Sequence, residues 1–274
     1  MIRKNLMDLL RKKLYFINGG IIMDVISKNE LAKVACNVRM GIIEGTFNAK
    51  SGHPGGSLSI AEILTYLYFK EMNIDPQKPD MPERDRFVLS KGHAAPALYS
   101  VMAQKGYFPV EELKTLRKVD SRLQGHPSMN YLPGIDISSG SLGQGISAAC
   151  GMALAAKFDK KDYRVFAILG DGEIEEGQVW EAFMFASQYK LSNLCAIIDR
   201  NGLQIDGKCV DVMSTEPLEE KMALEAAKAE NAVKEEVAAL KTKATDLQTK
   251  MDAAAEELQQ VLYTIPNIPY DEVP

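Results

Sequence analysis

Two turns carry side chains that could hold a hard cation. The apolar run "VFAIL" ends in Gly170-Asp171-Gly172, and the run "LCAIID" ends in Arg200-Asn201-Gly202. If both runs are parallel strands joined by a helix, a right-handed crossover brings their carboxyl ends to one edge of the sheet. Asp171 and Asn201 then overhang the crevice where open α/β sheets bind ligands. A carboxylate, an amide oxygen and a nearby backbone carbonyl make an oxygen-only half-shell. Mg2+ suits it, with phosphate oxygens and water in the remaining positions. Gly170 and Gly172 let the backbone approach an anion, and the Gly172 N–H can donate to it. The same residue types also serve ordinary strand-ending turns.

The sequence has 3 histidines, and each follows a glycine: His53 in "KSGHPGGSLS", His93 in "SKGHAAPALY" and His126 in "LQGHPSMN". Any one of them alone reads as a satisfied loop imidazole. Together they suggest a cleft lined with neutral donors and acceptors, suited to carbonyl, hydroxyl or phosphate oxygens. No His or Cys spacing suggests zinc, and neither a Gly-x-Ser-x-Gly elbow nor a P-loop occurs.

The elements that must position these groups read as alternating helix and strand. Helical periodicity covers Glu30–Asn48 and Leu58–Phe69, and "RFVLS" reads as a strand. Helices are predicted near Pro96–Lys105, Val110–Arg117, "GQGISAACGMALAAKF" and Gly177–Tyr189, the last lying between the strands "YRVFAIL" and "LCAIID". Near-continuous apolar strands separated by helices imply an α/β fold, a mostly parallel sheet with helices on both faces.

With 274 residues, 46% hydrophobic and 25% charged, the chain is long enough for one sizeable core. The net charge of −5 gives no basic footprint for nucleic acid or an anionic membrane. The 4 cysteines lack CxxC spacing and read as reduced thiols of a cytoplasmic protein. No apolar run is long enough to span a bilayer.

Residues 1–22 read as a basic leader, with Met23 as a second start and Ser27 and Glu30 forming a capping box. Gly19-Gly20 fits a translated ribosome-binding site before Met23, and equally an ordinary basic amphipathic helix.

Residues 23–221 resemble the N-terminal, thiamine-diphosphate-binding half of transketolase, in particular the form made as two subunits. The motifs are "GDG" with Asn201 beyond it, "SGHPGGSLS", "SKGHAAPALY", "GHP" at Gly125–Pro127 and "GSLGQGIS" at Gly140–Ser147. The resemblance implies thiamine diphosphate and Mg2+ as cofactors. It makes Asp171, Asn201 and the Leu203 carbonyl the Mg2+ ligands, with His93 and Gly172 on the diphosphate. Gly140, Ser141 and Leu142 would meet the aminopyrimidine and thiazolium region. His53 and His126 would hold sugar oxygens and help move protons. Glu176 and Glu181 match carboxylates that pass protons between paired sites, although on a Glu-rich helix they also read as plain solvated residues. The implied reaction moves a two-carbon ketol unit from a ketose phosphate to an aldose phosphate, as in the pentose phosphate pathway. A C-terminal partner subunit would supply the pyrimidine-binding domain, in a homo- or hetero-oligomer. Alternatives are an enzyme like deoxyxylulose-phosphate synthase, or a non-catalytic truncated fusion assembled by its tail.

After Lys221 the composition changes, and the sequence departs from that family's pattern. Val233, Val237, Leu240, Ala244, Leu247, Met251, Ala254, Leu258 and Val261 form a heptad seam, before "IPNIPYDEVP" stops the helix. Residues 224–274 resemble part of the N-terminal coiled-coil arm of seryl-tRNA synthetase. Charges alternating in sign along the helix argue against tRNA binding. The expectation is a fusion with its junction near Lys221–Met222, whether natural, engineered or an assembly error.

Overall fold

Three short apolar runs build one parallel sheet in the computed structural model, which describes residues 28–205 and 207–222. β1 (Arg86–Leu89), β2 (Val165–Gly170) and β3 (Leu194–Asp199) lie in that order, with β2 central. Val165 pairs with Arg86 on one side and Leu194 on the other, and Gly170 is level with Asp199. All six residues of β2 are buried, as both faces of a covered parallel strand must be.

Side chains alternate across the sheet. Phe87, Leu89, Phe166 and Ile168 join a core with α1 (Lys28–Ala49), α3 (Ala61–Tyr66) and α4 (Ala95–Lys105). Val88, Val165, Ala167 and Leu169 take the opposite parity. α5 (Gln144–Phe158) packs on all three strands and on α6 (Gly177–Gln188). α1 buries the stripe Ala35, Val38, Gly41, Ile42 and Gly45, an amphipathic spacing. Its approach to α4 depends on Gly41, where a Cβ would sit 2.3 Å from Ser100 Oγ. At the amino ends of the strands Asp85 accepts from the Arg164 backbone (2.7 Å) and guanidinium (2.8 Å), so the two strand starts are tied together.

The strand ends and most helices fall where the sequence places them. The run expected as one helix over Leu58–Phe69 is broken into α2 (Pro54–Leu58), α3 and a π-helical turn Leu67–Glu71. The break falls at Ser59 and Ile60, where the Ser59 hydroxyl donates to Asp199 at 2.8 Å and Ile60 leaves helical geometry. The helix expected over Val110–Arg117 is a 3-10 segment ending at Thr115, because Leu116 leaves helical geometry with ψ of 127° and Arg117 takes a left-handed φ of 59°.

A second compact unit begins at Glu216. Its described part, 216–222, is a helical start in which the Leu218 N–H donates to the Glu216 carboxylate at 3.1 Å. The basic leader, the Ser27 half of the capping box, the heptad seam and the proline-rich end lie outside the described residues. Among the described residues no helix is long and apolar enough to cross a membrane, and all 4 cysteines are free.

Candidate functional site

Each predicted site residue sits in a loop at the carboxyl edge of the sheet or at the start of the helix that follows. β1 leads into the 3-10 turn Gly92–Ala94, which carries His93. β2 leads into Asp171-Gly172 and then into a 3-10 turn, Glu173–Glu175. β3 leads into Asn201, Gly202 and the short strand β4 (Leu203–Gln204), paired antiparallel with β5 (Gly207–Lys208). α7 (Cys209–Val212) follows.

The three histidines converge although 73 residues of sequence separate the first from the last, from 53 to 126. The rings of His53 and His93 meet edge to face at 5.3 Å between centroids. A Cβ on Gly56 would lie 3.3 Å from His93 Nε2, and one on Gly140 would lie 3.2 Å from His126 Cγ. Gly92 closes the chain of contacts, because a Cβ there would be 2.8 Å from the Gly140 backbone nitrogen. The glycines that make these turns conspicuous in sequence are the points where loops touch.

Burial pushes His93 down to about 4, and the neighbouring Lys91, His53 and His126 push the same way. It is therefore neutral at pH 7, a donor at one ring nitrogen and an acceptor at the other. His126 is also lowered, by burial first and then by Arg117 and His53.

Asp171, 4% exposed, accepts the Gly172 N–H on Oδ1 (3.0 Å) and the Gly202 N–H on Oδ2 (2.6 Å). The second bond pins the Asn201-Gly202-Leu203 turn beside the Gly-Asp-Gly turn, so the structure brings Asp171, Asn201 and Leu203 together. Asn201 Oδ1 accepts the Leu203 N–H at 2.9 Å, and the Leu203 side chain is exposed. Cys209 lies against Asp171; burial first, then the Asp171 charge, pushes its thiol up to about 11, so it stays protonated.

The Gly140-Ser141-Leu142 loop precedes α5, and the Leu142 carbonyl accepts Gln178 Nε2 at 3.1 Å. Gly143, with φ of 82°, packs against Glu176 and Gln178. Glu176 and Glu181 are exposed, at the N-cap and on the first turns of α6.

Three buried charges at the site are not singled out by sequence. The Glu173 carboxylate, 2% exposed, accepts Ser90 Oγ (2.5 Å), Gly143 N–H (2.8 Å) and Gly170 N–H (3.0 Å). It thus ties β1, α5 and β2 at their site ends. Lys91 and Asp199 form a buried pair at 2.6 Å. Burial pushes the Asp199 carboxyl up, and the Lys91 charge with donors Ser59 and Asn201 more than reverses this, leaving it below its ordinary value. The available signal is positional: Glu173 follows the Gly-Asp-Gly turn, Lys91 precedes His93 by two, and Asp199 precedes Asn201 by two.

A parallel sheet with oxygen donors, backbone N–H groups and neutral imidazoles gathered at its carboxyl edge defines a diphosphate-binding α/β domain in chemical terms. The family model for the transketolase thiamine diphosphate binding domain matches residues 30–258, and the chain belongs to that family. The match continues past Lys221, where the sequence pattern suggests a junction.

Among curated relatives, the chain is 54% identical over 170 residues to the 6-deoxy-6-sulfo-D-fructose transketolase subunit SqwG of Clostridium sp. (strain MSTE9), covering 62% of each chain. It is 48% identical over 183 residues to an apulose-4-phosphate transketolase subunit of Phocaeicola vulgatus, covering 67% of this chain and 65% of that one. The chain thus spans under two thirds of the length of these two relatives. The solved transketolase of Leishmania mexicana superposes with a TM-score of 0.68 at 34% identity, over 72% of this chain and 31% of that one.

Proposed function

We propose that this chain is the diphosphate-binding subunit of a transketolase. In this proposal residues 23–221 form the binding domain, and a partner subunit supplies the pyrimidine-binding domain. The observation that carries it is the gathering of His53, His93 and His126 in neighbouring loops, with Lys91, two residues before His93, lying against Gly170 of the Gly-Asp-Gly turn. The subunit names of two relatives support a partner.

The residues fit Mg2+ by donor chemistry. Asp171 offers a carboxylate whose two oxygens each accept one backbone N–H. Asn201 Oδ1 and the Leu203 carbonyl add neutral oxygens, a set suited to a hard cation. Thiamine diphosphate, when bound, supplies the nucleophilic carbon and the electron sink that ketol transfer requires.

The protein's part is position and proton handling. Neutral His93 donates to a phosphate oxygen, and Gly172 admits the diphosphate close to the backbone. The Gly140, Ser141 and Leu142 backbone meets the ring system. His53 and His126, both exposed at the cleft, hold sugar hydroxyls and exchange a proton with them. Glu176 and Glu181 pass protons towards a second protomer. The substrates in this reading are a ketose phosphate donor and an aldose phosphate acceptor, in the cytoplasm.

The test is a thermal melt with and without thiamine diphosphate plus Mg2+, beside an Asp171→Asn control. A cofactor-dependent rise that the control loses is the expected result. A cooperative melt with no shift, together with no ketol transfer when a pyrimidine-domain subunit is added, would overturn the proposal.

A further inference from the structure

Lys91 reaches across the central strand. It starts two residues after the end of β1, its Cβ and Cδ pass 3.9 and 3.5 Å from where a Cβ on Gly170 would stand, and its ammonium ends on Asp199 at the end of β3. A Cβ on Gly170 would make ordinary van der Waals contact with this side chain, so Lys91 runs directly over the end of β2. The ammonium also donates to the Gly56 carbonyl at 2.9 Å. Lys91 is 1% exposed and Asp199 8%, by side chain.

The carboxylate at the far end is filled from three loops. Asp199 Oδ1 accepts Ser59 Oγ at 2.8 Å, and Oδ2 accepts Lys91 Nζ at 2.6 Å and Asn201 Nδ2 at 3.1 Å. The last bond decides something chemical. The two ends of an Asn amide have nearly the same shape and opposite function, one donating and one accepting. A carboxylate can face only the NH2 end, so the oxygen of Asn201 is turned to the other side, towards the Leu203 N–H and the turn that Asp171 holds. Rotated by half a turn, the same side chain would present N–H donors where a cation needs an oxygen.

We propose that Asp199, held in place by Lys91, is a positioning residue that fixes the Asn201 amide with its oxygen towards the cation turn. This rests on the reading of that turn as a divalent-cation site. The pair touches neither cation nor substrate and acts through Asn201. Outer partners of this kind typically change metal affinity about 10- to 100-fold when removed.

The test separates orientation from stability. A buried ion pair replaced by apolar residues of similar size often leaves a fold as stable as before, so Lys91→Met/Asp199→Leu removes the lock without stranding a charge. The probe is Mn2+ with inorganic pyrophosphate on the full chain, with free Mn2+ counted by electron paramagnetic resonance. Asp171→Asn identifies the site by losing the wild-type binding. The double variant is expected to melt close to wild type while its Mn2+ affinity falls about 10- to 100-fold. Ser59→Ala, which leaves both Lys91 and Asn201 on the carboxylate, is expected to keep the wild-type affinity. A folded double variant binding within about twofold of wild type would overturn the proposal, since about 10-fold is the least that an outer partner of this kind should cost. Should that double variant not fold, Lys91→Met/Asp199→Val, which likewise strands no charge and leaves no acceptor for the Asn201 amide, decides by the same criterion. No Mn2+ binding by the wild-type chain would defeat the cation reading and this inference with it. Binding that is normal in wild type and in the variant defeats the inference alone.

Discussion

The Lys91 ammonium and the Asp199 carboxylate meet at 2.6 Å although Lys91 follows β1 and Asp199 ends β3, two strands that do not pair with each other. The pair therefore closes a bridge over β2 and joins all three strand ends. Removing one partner leaves the other buried and uncompensated, at a cost of about 3–5 kcal/mol. Denaturant unfolding of Lys91→Met, Asp199→Leu and the double variant is expected to show strong non-additivity, with the double variant more stable than either single one.

His93 gives a pH dependence with a defined sign. Its value of about 4 lies below the ordinary 6.5, so between those limits the unfolded chain binds a proton that the native state refuses. The stability this contributes is complete above about pH 6.5 and is lost as the pH falls towards 4. His93→Asn is expected to flatten this part of the pH profile, measured by urea unfolding at steps from pH 7 to 4.5. An unchanged slope would remove the buried-imidazole account.

Arg117 touches the third histidine's environment from an unusual backbone position. Its φ is 59°, its N–H donates to the Leu123 carbonyl at 2.9 Å, and its guanidinium lies against Gly125 and donates to Ser51 at 2.8 Å. Its charge is one of the causes that lower His126. In Arg117→Ala the His126 pKa is expected to rise towards the ordinary value, while His93, which Arg117 does not influence, stays put. With 3 histidines in the chain, an NMR titration of imidazole carbons can follow them separately.

Two glycines of α5 predict opposite outcomes. A Cβ at Gly145 would meet Ser90 Oγ at 2.6 Å and Ser90 Cα at 2.7 Å, and the backbone there cannot swing away as a side-chain tip could. Gly145→Ala is expected to destabilise by roughly 1–3 kcal/mol, as overpacking does. At Gly151 nothing lies within 4 Å, so alanine only adds helix propensity. Gly151→Ala is expected to stabilise by about 0.5–1 kcal/mol, read from the same unfolding curves.

The parts of the fold legible in sequence are those set by local pattern. β3 occupies Leu194–Asp199 as expected, because an apolar run of strand length bounded by turn residues leaves little choice. The histidine turns can be found because glycine records a close approach. Lys91 and Asp199 cannot, because a side chain crossing a strand is a tertiary event that leaves no periodicity. The interruption at Ser59 and Ile60 escapes sequence reading for a similar reason: a distant carboxylate competes for the serine, and no local propensity reports it. Glu173 stands beside a conspicuous motif and reads as one more acidic turn residue.

Glu173 couples the three loop tips that it holds. By holding Ser90, Gly143 and Gly170 at once, it makes the floor of the cleft a single unit, not three independent loop tips. The amide hydrogens of Gly143 and Gly170 are then expected to exchange with solvent only when the sheet itself opens, the behaviour of a cooperative unit. An incoming anion would meet loops already held in place, with no disorder left to remove. Little of its binding energy would go into organising the protein, which is the thermodynamic meaning of preorganisation.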